Sequence, residues 1–192
     1  MAEQKDLDFT YTTIDKIFRL SMGESADYSG AKYDGDFSMS LEEGQKQKHK
    51  FIADSLNIKK GSKVLDMACG WGPFIKYITV ERGAESIGLT LSQGQADACQ
   101  NNGMNVVVKD CRTITPEDYG AFDAITCIGG LEHFCSVEEW QAGKQETVYK
   151  NFFQYQCPWR SRILSPAEYR CQYHVPEVIW ISYFRRQKTY PY

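Results

Sequence analysis

Apolar positions recur along this chain in two rhythms. Between Lys63 and Gly129, four short apolar runs each stop at a small or polar residue: Val64-Leu65 at Asp66, Ser86 to Leu89 at Thr90, Met104 to Lys109 at Asp110, and Phe122 to Ile128 at Gly129. Between them the spacing turns helical, with Phe74-Ile75 and Tyr77-Ile78 after the first run, then Ala96, Ala98 and Cys99 behind Ser92 as a cap. Asn101-Asn102-Gly103 is a helix stop. Strand alternating with helix predicts an α/β fold, a doubly wound, mostly parallel sheet whose ligand crevice lies at the strands' carboxyl ends. A further helix carrying Trp140, Val148, Tyr149 and Phe152 is predicted after the fourth strand. Upstream, Thr12 or Thr13 is placed to cap an amphipathic helix with Ile14, Ile17, Phe18 and Leu20. Its apolar face reads as a lid on the domain, with contact to a lipid or acyl chain as the other reading. Residues 22–40 are a loop by composition. The helix after Ser40 starts with Glu42-Glu43 and carries Lys46, Lys48 and Lys50 later, the order a helix dipole favours.

The most informative stretch is Lys63 to Pro73, KVLDMACGWGP: a strand, a glycine turn and the start of a helix. A carboxylate at a strand tip, here Asp66, accepts hydrogen bonds from a ligand's ammonium or hydroxyl groups. Gly70 and Gly72 let backbone approach that ligand closely. A dinucleotide fingerprint needs a third glycine, and Ile75 stands in its place. A pyrophosphate cradle is therefore disfavoured, and a nucleoside without phosphates, such as S-adenosylmethionine, fits better. The bland alternative is an ordinary strand-to-helix turn.

The 192 residues suffice for one α/β domain with a substantial core. A net charge of −3 gives no basic footprint for nucleic acid. The seven cysteines are an odd number without a C-x-x-C pair, so free thiols in a reducing cytosol outrank a disulfide framework or metal site. With His49, His133 and His174 the only histidines, a zinc site has few nitrogen ligands available. No run approaches the ~18 apolar residues of a membrane helix, and Met1-Ala2-Glu3 does not open a signal peptide. A cytoplasmic location, peripheral to the membrane if the N-terminal face meets lipid, is the expectation.

Taken together the strand tips resemble class I S-adenosylmethionine-dependent methyltransferases and, more narrowly, the cyclopropane-fatty-acid synthase family with its mycolic acid cyclopropane synthases. The matching pieces are Ser40-Leu41-Glu42-Glu43-x-Gln45, Val64-Leu65-Asp66-x-x-Cys69-Gly70-Trp71-Gly72, Gly88-Leu89-Thr90-Leu91-Ser92-x-x-Gln95, Asp110-Cys111-Arg112 and Leu131-Glu132-His133-Phe134. They cover roughly residues 30–153. The resemblance implies S-adenosylmethionine as cofactor, with Asp66, Gly70 and Gly72 beside its methionine part and ribose. It puts Thr90, Leu91 and Gln95 on the adenosine, Asp110, Cys111 and Arg112 near the adenine, and Tyr33 closing over the cofactor. It also implies carbon methyl transfer to the double bond of an unsaturated lipid acyl chain at a membrane surface. Glu132 would there hold a bicarbonate that takes the departing proton, with His133 as a weaker catalytic candidate. Where the family has a Tyr-Ser-Cys loop, this chain is aligned at Tyr33-Asp34-Gly35. A methyltransferase for another small molecule, a non-catalytic cofactor-binding module and a dinucleotide oxidoreductase are the alternatives. The last is weakened by Ile75 and by Thr90, which stands where an acidic residue is expected.

These features divide the chain into a lid (1–40), an S-adenosylmethionine-binding domain (41–153) and an atypical tail (154–192). The tail holds six of twelve tyrosines, five of eight arginines and four of six prolines, without one glycine. Its formal charge is +4, leaving −7 on residues 1–153. Such a tail reads either as an RNA- or membrane-binding extension or as a frame-shifted segment. Back-translated one nucleotide downstream, Pro158 to Ser165 permits the Pro-Gly-Gly-Arg turn that the family shows here. On that second reading the carboxyl side of the fold is truncated or frame-shifted. The tail is then expected to stay off the sheet, and the chain to bind cofactor without methylating lipid.

Overall fold

Strands β1 (Lys63–Asp66), β2 (Glu85–Thr90), β3 (Val106–Val108) and β4 (Ala124–Thr126) form where apolar runs are covered on both faces. The computed structural model describes residues 29–114, 116–120, 122–130, 138, 141–143 and 178–179, with 9–10, 13–14, 17–18, 20–23 and 26–27 before them. All strands run parallel, in the order β3-β2-β1-β4, with β5 (Val178–Ile179) beyond β4. Leu65 stands opposite Ile87 on one side and Ile125 on the other. Chain order reverses beside β1, since β2 and β3 lie to one side and β4 to the other. The carboxyl ends of β1 and β4 are thus the switch point at which such sheets open a crevice.

Each helix starts and stops on a local signal. At α1 (Leu41–Ser55) Ser40 and Glu43 form a capping box: the Glu43 amide donates to the Ser40 hydroxyl at 3.2 Å, and the Ser40 amide to Glu43 Oε2 at 2.7 Å. Pro73 opens α2 (Pro73–Arg82), and Gly83 ends it in the left-handed conformation. Ser92 caps α3 (Gln93–Asn101). A 3-10 turn, Cys111–Thr113, and the short α4 (Pro116–Tyr119) lead to β4. Ile52, Ala53, Val64, Phe74, Ile78 and Ala124 join α1 and α2 to the sheet in one buried cluster. Leu65, Met67, Leu89, Cys111, Ile114 and Cys127 form a second, and Ile75, Ala96, Cys99 and Val106 a third beneath α3. The fold is the doubly wound, parallel α/β architecture predicted. Cys69, Cys99, Cys111 and Cys127 are buried thiols outside any disulfide and pack as small hydrophobes.

Four expectations change. β3 and β4 are three residues each, because the ladder continues only where a neighbouring strand lies alongside. The lysines of α1 sit mid-helix rather than in the last turn, and Lys48 points inward at 3 % exposure. Phe9 and Thr10 are already helical, so the N-terminal helix begins before Thr12 and Thr13. The tail does not wholly stay off the sheet, since Val178 and Ile179 pair with Ile125 and Thr126 along the edge of β4. The Phe18 ring packs edge-on against Trp71 at 5.5 Å, as a lid would, while Ile17 and Leu20 stay exposed. Trp140, Val148, Tyr149 and Phe152 lie outside the described residues. Among those described, no helix is long and apolar enough to cross a membrane.

Candidate functional site

A small cleft of about 50 Å³, open to solvent, lies at the switch point. Asp66, Gly70 and Trp71 line it, together with Ala26, Asp27 and Ser29 from the loop before α1 and with His49, Phe74 and Ile128. Asp66 lies at the end of β1 and is 2 % exposed. Burial pushes its carboxyl up to about 7, and the charge of Asp27 adds to this, against the Ala68 amide and the Thr126 hydroxyl. Gly70, at φ +55°, borders the cleft so openly that a Cβ there meets nothing within 4 Å. Gly72 is a glycine for another reason. A Cβ at Gly72 would come within 2.7 Å of Met104 Sδ and 3.1 Å of Cys99 Sγ, so it faces the packing under α3.

The loop before α1 is held by charge. Lys48 Nζ donates to Asp27 Oδ1 at 2.8 Å, to Oδ2 at 3.0 Å and to Ser29 Oγ at 2.7 Å. His49 Nε2 is 2.9 Å from Asp27 Oδ2. Burial alone would raise the Asp27 carboxyl, but the His49 hydrogen bond and the Lys48 charge outweigh it and hold the group below its usual range. Burial likewise lowers the Lys48 ammonium, only partly offset by Asp27.

The structure brings some predicted residues together and separates others. Asp66 and Gly70 line the cleft. At the tip of β2, Thr90 and Gln95 are both buried and satisfy one another, Thr90 Oγ1 donating to Gln95 Oε1 at 2.6 Å. Leu91 beside them is half-buried. Cys111 belongs to the core with Leu65, Met67 and Leu89 rather than to the cleft. Asp110 caps the turn that follows, its carbonyl accepting from the Thr113 amide and hydroxyl. Arg112 lies within that turn. Tyr33 packs over Gly44 and against the Phe37 ring, not in the cleft. The loop that does reach the cleft carries Ser29, within Tyr28-Ser29-Gly30. Glu132 and His133 lie outside the described residues. The sequence reading missed Asp27, Ser29 and His49. Their signal was the i, i+3, i+4 spacing of Gln45, Lys48 and His49 on one face of α1.

Residues 1–157 match the model of the family described as mycolic acid cyclopropane synthetase. The chain belongs to that family. Cyclopropane mycolic acid synthase 2 of Mycobacterium bovis is 32 % identical over 151 residues, 74 % of this chain and 49 % of that protein. A probable fatty acid methyltransferase of Mycobacterium tuberculosis is 31 % identical over 128 residues, 64 % of this chain and 30 % of the relative. Among solved structures, mycolic acid cyclopropane synthase CmaA1 complexed with SAH and CTAB superposes with a TM-score of 0.62 at 25 % identity, covering 77 % of this chain and 53 % of that one. The chain thus spans about half, or less, of the cyclopropane synthetase relatives it matches. The [4+2]-cyclase SpnF shares the fold, with a TM-score of 0.57 at 17 % identity. Family membership covers both the β1 turn and the α1 face that hold the cleft.

Proposed function

We propose that the cleft binds S-adenosylmethionine and that the chain serves carbon methyl transfer to the double bond of an unsaturated lipid acyl chain. The observation that carries this reading is the pairing of the buried Asp66 carboxyl with a bare Gly70 at the β1–β4 switch point. Asp66 suits the ammonium of the methionine end, and Gly70 leaves room for a ligand against the backbone. The cofactor, when bound, supplies an electrophilic methyl group. Trp71 and Phe74 line the cleft with aromatic faces, which keep out water and tolerate a neighbouring cation. CmaA1, complexed with SAH, supports the same cofactor class here. Thr90, Leu91 and Gln95 are proposed for the adenosine, with Thr90 and Gln95 exchanging their mutual bond for the ligand. Glu132, with bicarbonate as proton acceptor, and His133 are the proposed proton-handling groups. Exposed Phe9, Ile17 and Leu20 on the N-terminal helix support lipid being met at a membrane surface.

Calorimetry on the full chain tests the binding step. Micromolar binding of S-adenosylmethionine and S-adenosylhomocysteine, with none of NAD, is the expected result; NAD binding alone would overturn it. Transfer of labelled methyl into unsaturated phospholipid vesicles, by this chain and by a frame-restored version, tests the acceptor.

A further inference from the structure

Three residues of α1 meet the loop over the cleft, but only one of them lines the cleft and keeps a polar group for a ligand. Gln45 Nε2 donates to the carbonyls of Asp27 at 2.8 Å and Ser29 at 2.7 Å, fastening the loop backbone. Gln45 Oε1 is buried behind that loop and is not part of the cleft wall. Lys48 commits its ammonium to Asp27 and Ser29. Asp27 in turn uses both oxygens, Oδ1 for Lys48 and the Ser29 hydroxyl and Oδ2 for Lys48 and His49. Neither Lys48 nor Asp27 has capacity left. His49 differs. It lines the cleft, its Nε2 is held by Asp27, and the rings of Phe74 and Tyr77 flank it at 5.7 and 5.5 Å. An imidazole pinned through Nε2 meets anything else through Nδ1.

Position decides what that would be. The proposed adenosine end lies at the β2 tip. His49 instead lines the cleft together with Asp66 at the end of β1 and Ile128 just after β4. An extended nucleoside–amino acid ligand crossing Gly70 brings its amino-acid head here. Asp66, once ionised, accepts only and suits the ammonium; the remaining carboxylate needs a donor.

We propose, building on the cofactor reading above, that His49, as an imidazolium whose Nε2–H donates to Asp27, binds the amino-acid carboxylate of the cofactor through Nδ1–H, and that Asp27 and Lys48 are positioning residues that fix the ring for it. The inference adds a carboxylate-selective contact from α1, distinct from the strand-tip turn.

Dissociation constants on the full chain test it with three ligands. S-adenosylhomocysteine has the whole head, decarboxylated S-adenosylmethionine lacks the carboxylate, and 5′-methylthioadenosine lacks the head altogether. His49→Phe keeps a ring between Phe74 and Tyr77. It should weaken S-adenosylhomocysteine about 10- to 100-fold, the worth of one hydrogen bond to a charged group, and the other two less than about twofold. His49→Gln, which keeps a donor, should recover part of the loss and covers the case in which the Phe variant does not fold. Asp27→Asn should reproduce the ligand pattern more weakly, whereas a merely structural role for Asp27 would weaken all three ligands alike. Equal losses for the three ligands in the His49 variants, or unchanged S-adenosylhomocysteine binding, would overturn the assignment. So would a loss shared by the decarboxylated ligand but not by methylthioadenosine, which would place the ammonium at His49. A wild-type chain that binds none of the three would instead remove the cofactor reading on which the inference rests.

Discussion

At the scale of the residue, Asp66 sets a conflict between folding and binding. A carboxyl titrates near 4 in an unfolded chain, and here burial moves it to about 7. Since the folded value is the higher one, the group favours the fold fully below about pH 4, and that contribution is lost as pH rises through 7. A shift of this size corresponds to stability on the order of 4 kcal/mol. Asp66→Asn, which cannot ionise, should therefore melt higher than the parent chain at pH 8 and show no such gain at pH 4. The same substitution should abolish cofactor affinity. In the parent chain the proton must leave before an ammonium can be met, so affinity for S-adenosylmethionine should be about tenfold weaker at pH 6 than at pH 8. Thermal scans and calorimetry across that range check both halves. Affinity that stays level between the two values would separate Asp66 from the ligand.

At the scale of the element, the tips of β1 and β4 nearly collide, and two glycines there have opposite purposes. A Cβ on Gly130 would sit 2.4 Å from Ala68 Cβ and 2.9 Å from Cys127 Sγ, and Ala68 has no rotamer with which to yield. Gly130→Ala should cost about 3 kcal/mol as overpacking between the two strand exits. Gly70→Ala meets no atom; it carries only the left-handed backbone strain of ~1–2 kcal/mol, yet fills the cleft. Denaturant unfolding should thus rank Gly130→Ala as the more damaging change, while S-adenosylhomocysteine binding should be lost in the folded Gly70→Ala protein. The open position of Gly70 beside Asp66 was legible because an acidic strand tip followed by a glycine turn puts an acceptor and bare backbone side by side, which core packing does not require. The role of Gly130 was not, because only the approach of a distant strand creates the clash.

At the scale of the whole molecule, the winding of the sheet was readable from four apolar runs and the helical spacing between them. What stayed hidden was any feature formed by charged residues turning inward. Lys46, Lys48 and Lys50 look alike in sequence, but only Lys48 lies on the α1 face shared with Gln45 and His49, where Asp27 compensates its burial. Such a pairing joins residues 21 positions apart and leaves no periodic trace. Thr90 and Gln95 were recognised as a pair by resemblance, and their mutual hydrogen bond shows a polar site closed on itself rather than held open.

The place of β4 in this order has a kinetic consequence. β1, β2 and β3 meet as neighbours along the chain, whereas Lys63 reaches Asp123, to which its amide donates at 2.8 Å, across 60 residues. Closing that loop is the costlier step, which makes docking of β4 the late event of folding. The cleft has both walls only once β4 has docked, so a ligand finds no site on the uphill side of the barrier. Saturating S-adenosylhomocysteine should slow unfolding in stopped-flow denaturant jumps and leave the refolding limb where it was. A faster refolding limb would mean that β1 and β4 meet early, and that the site is assembled before the barrier is crossed.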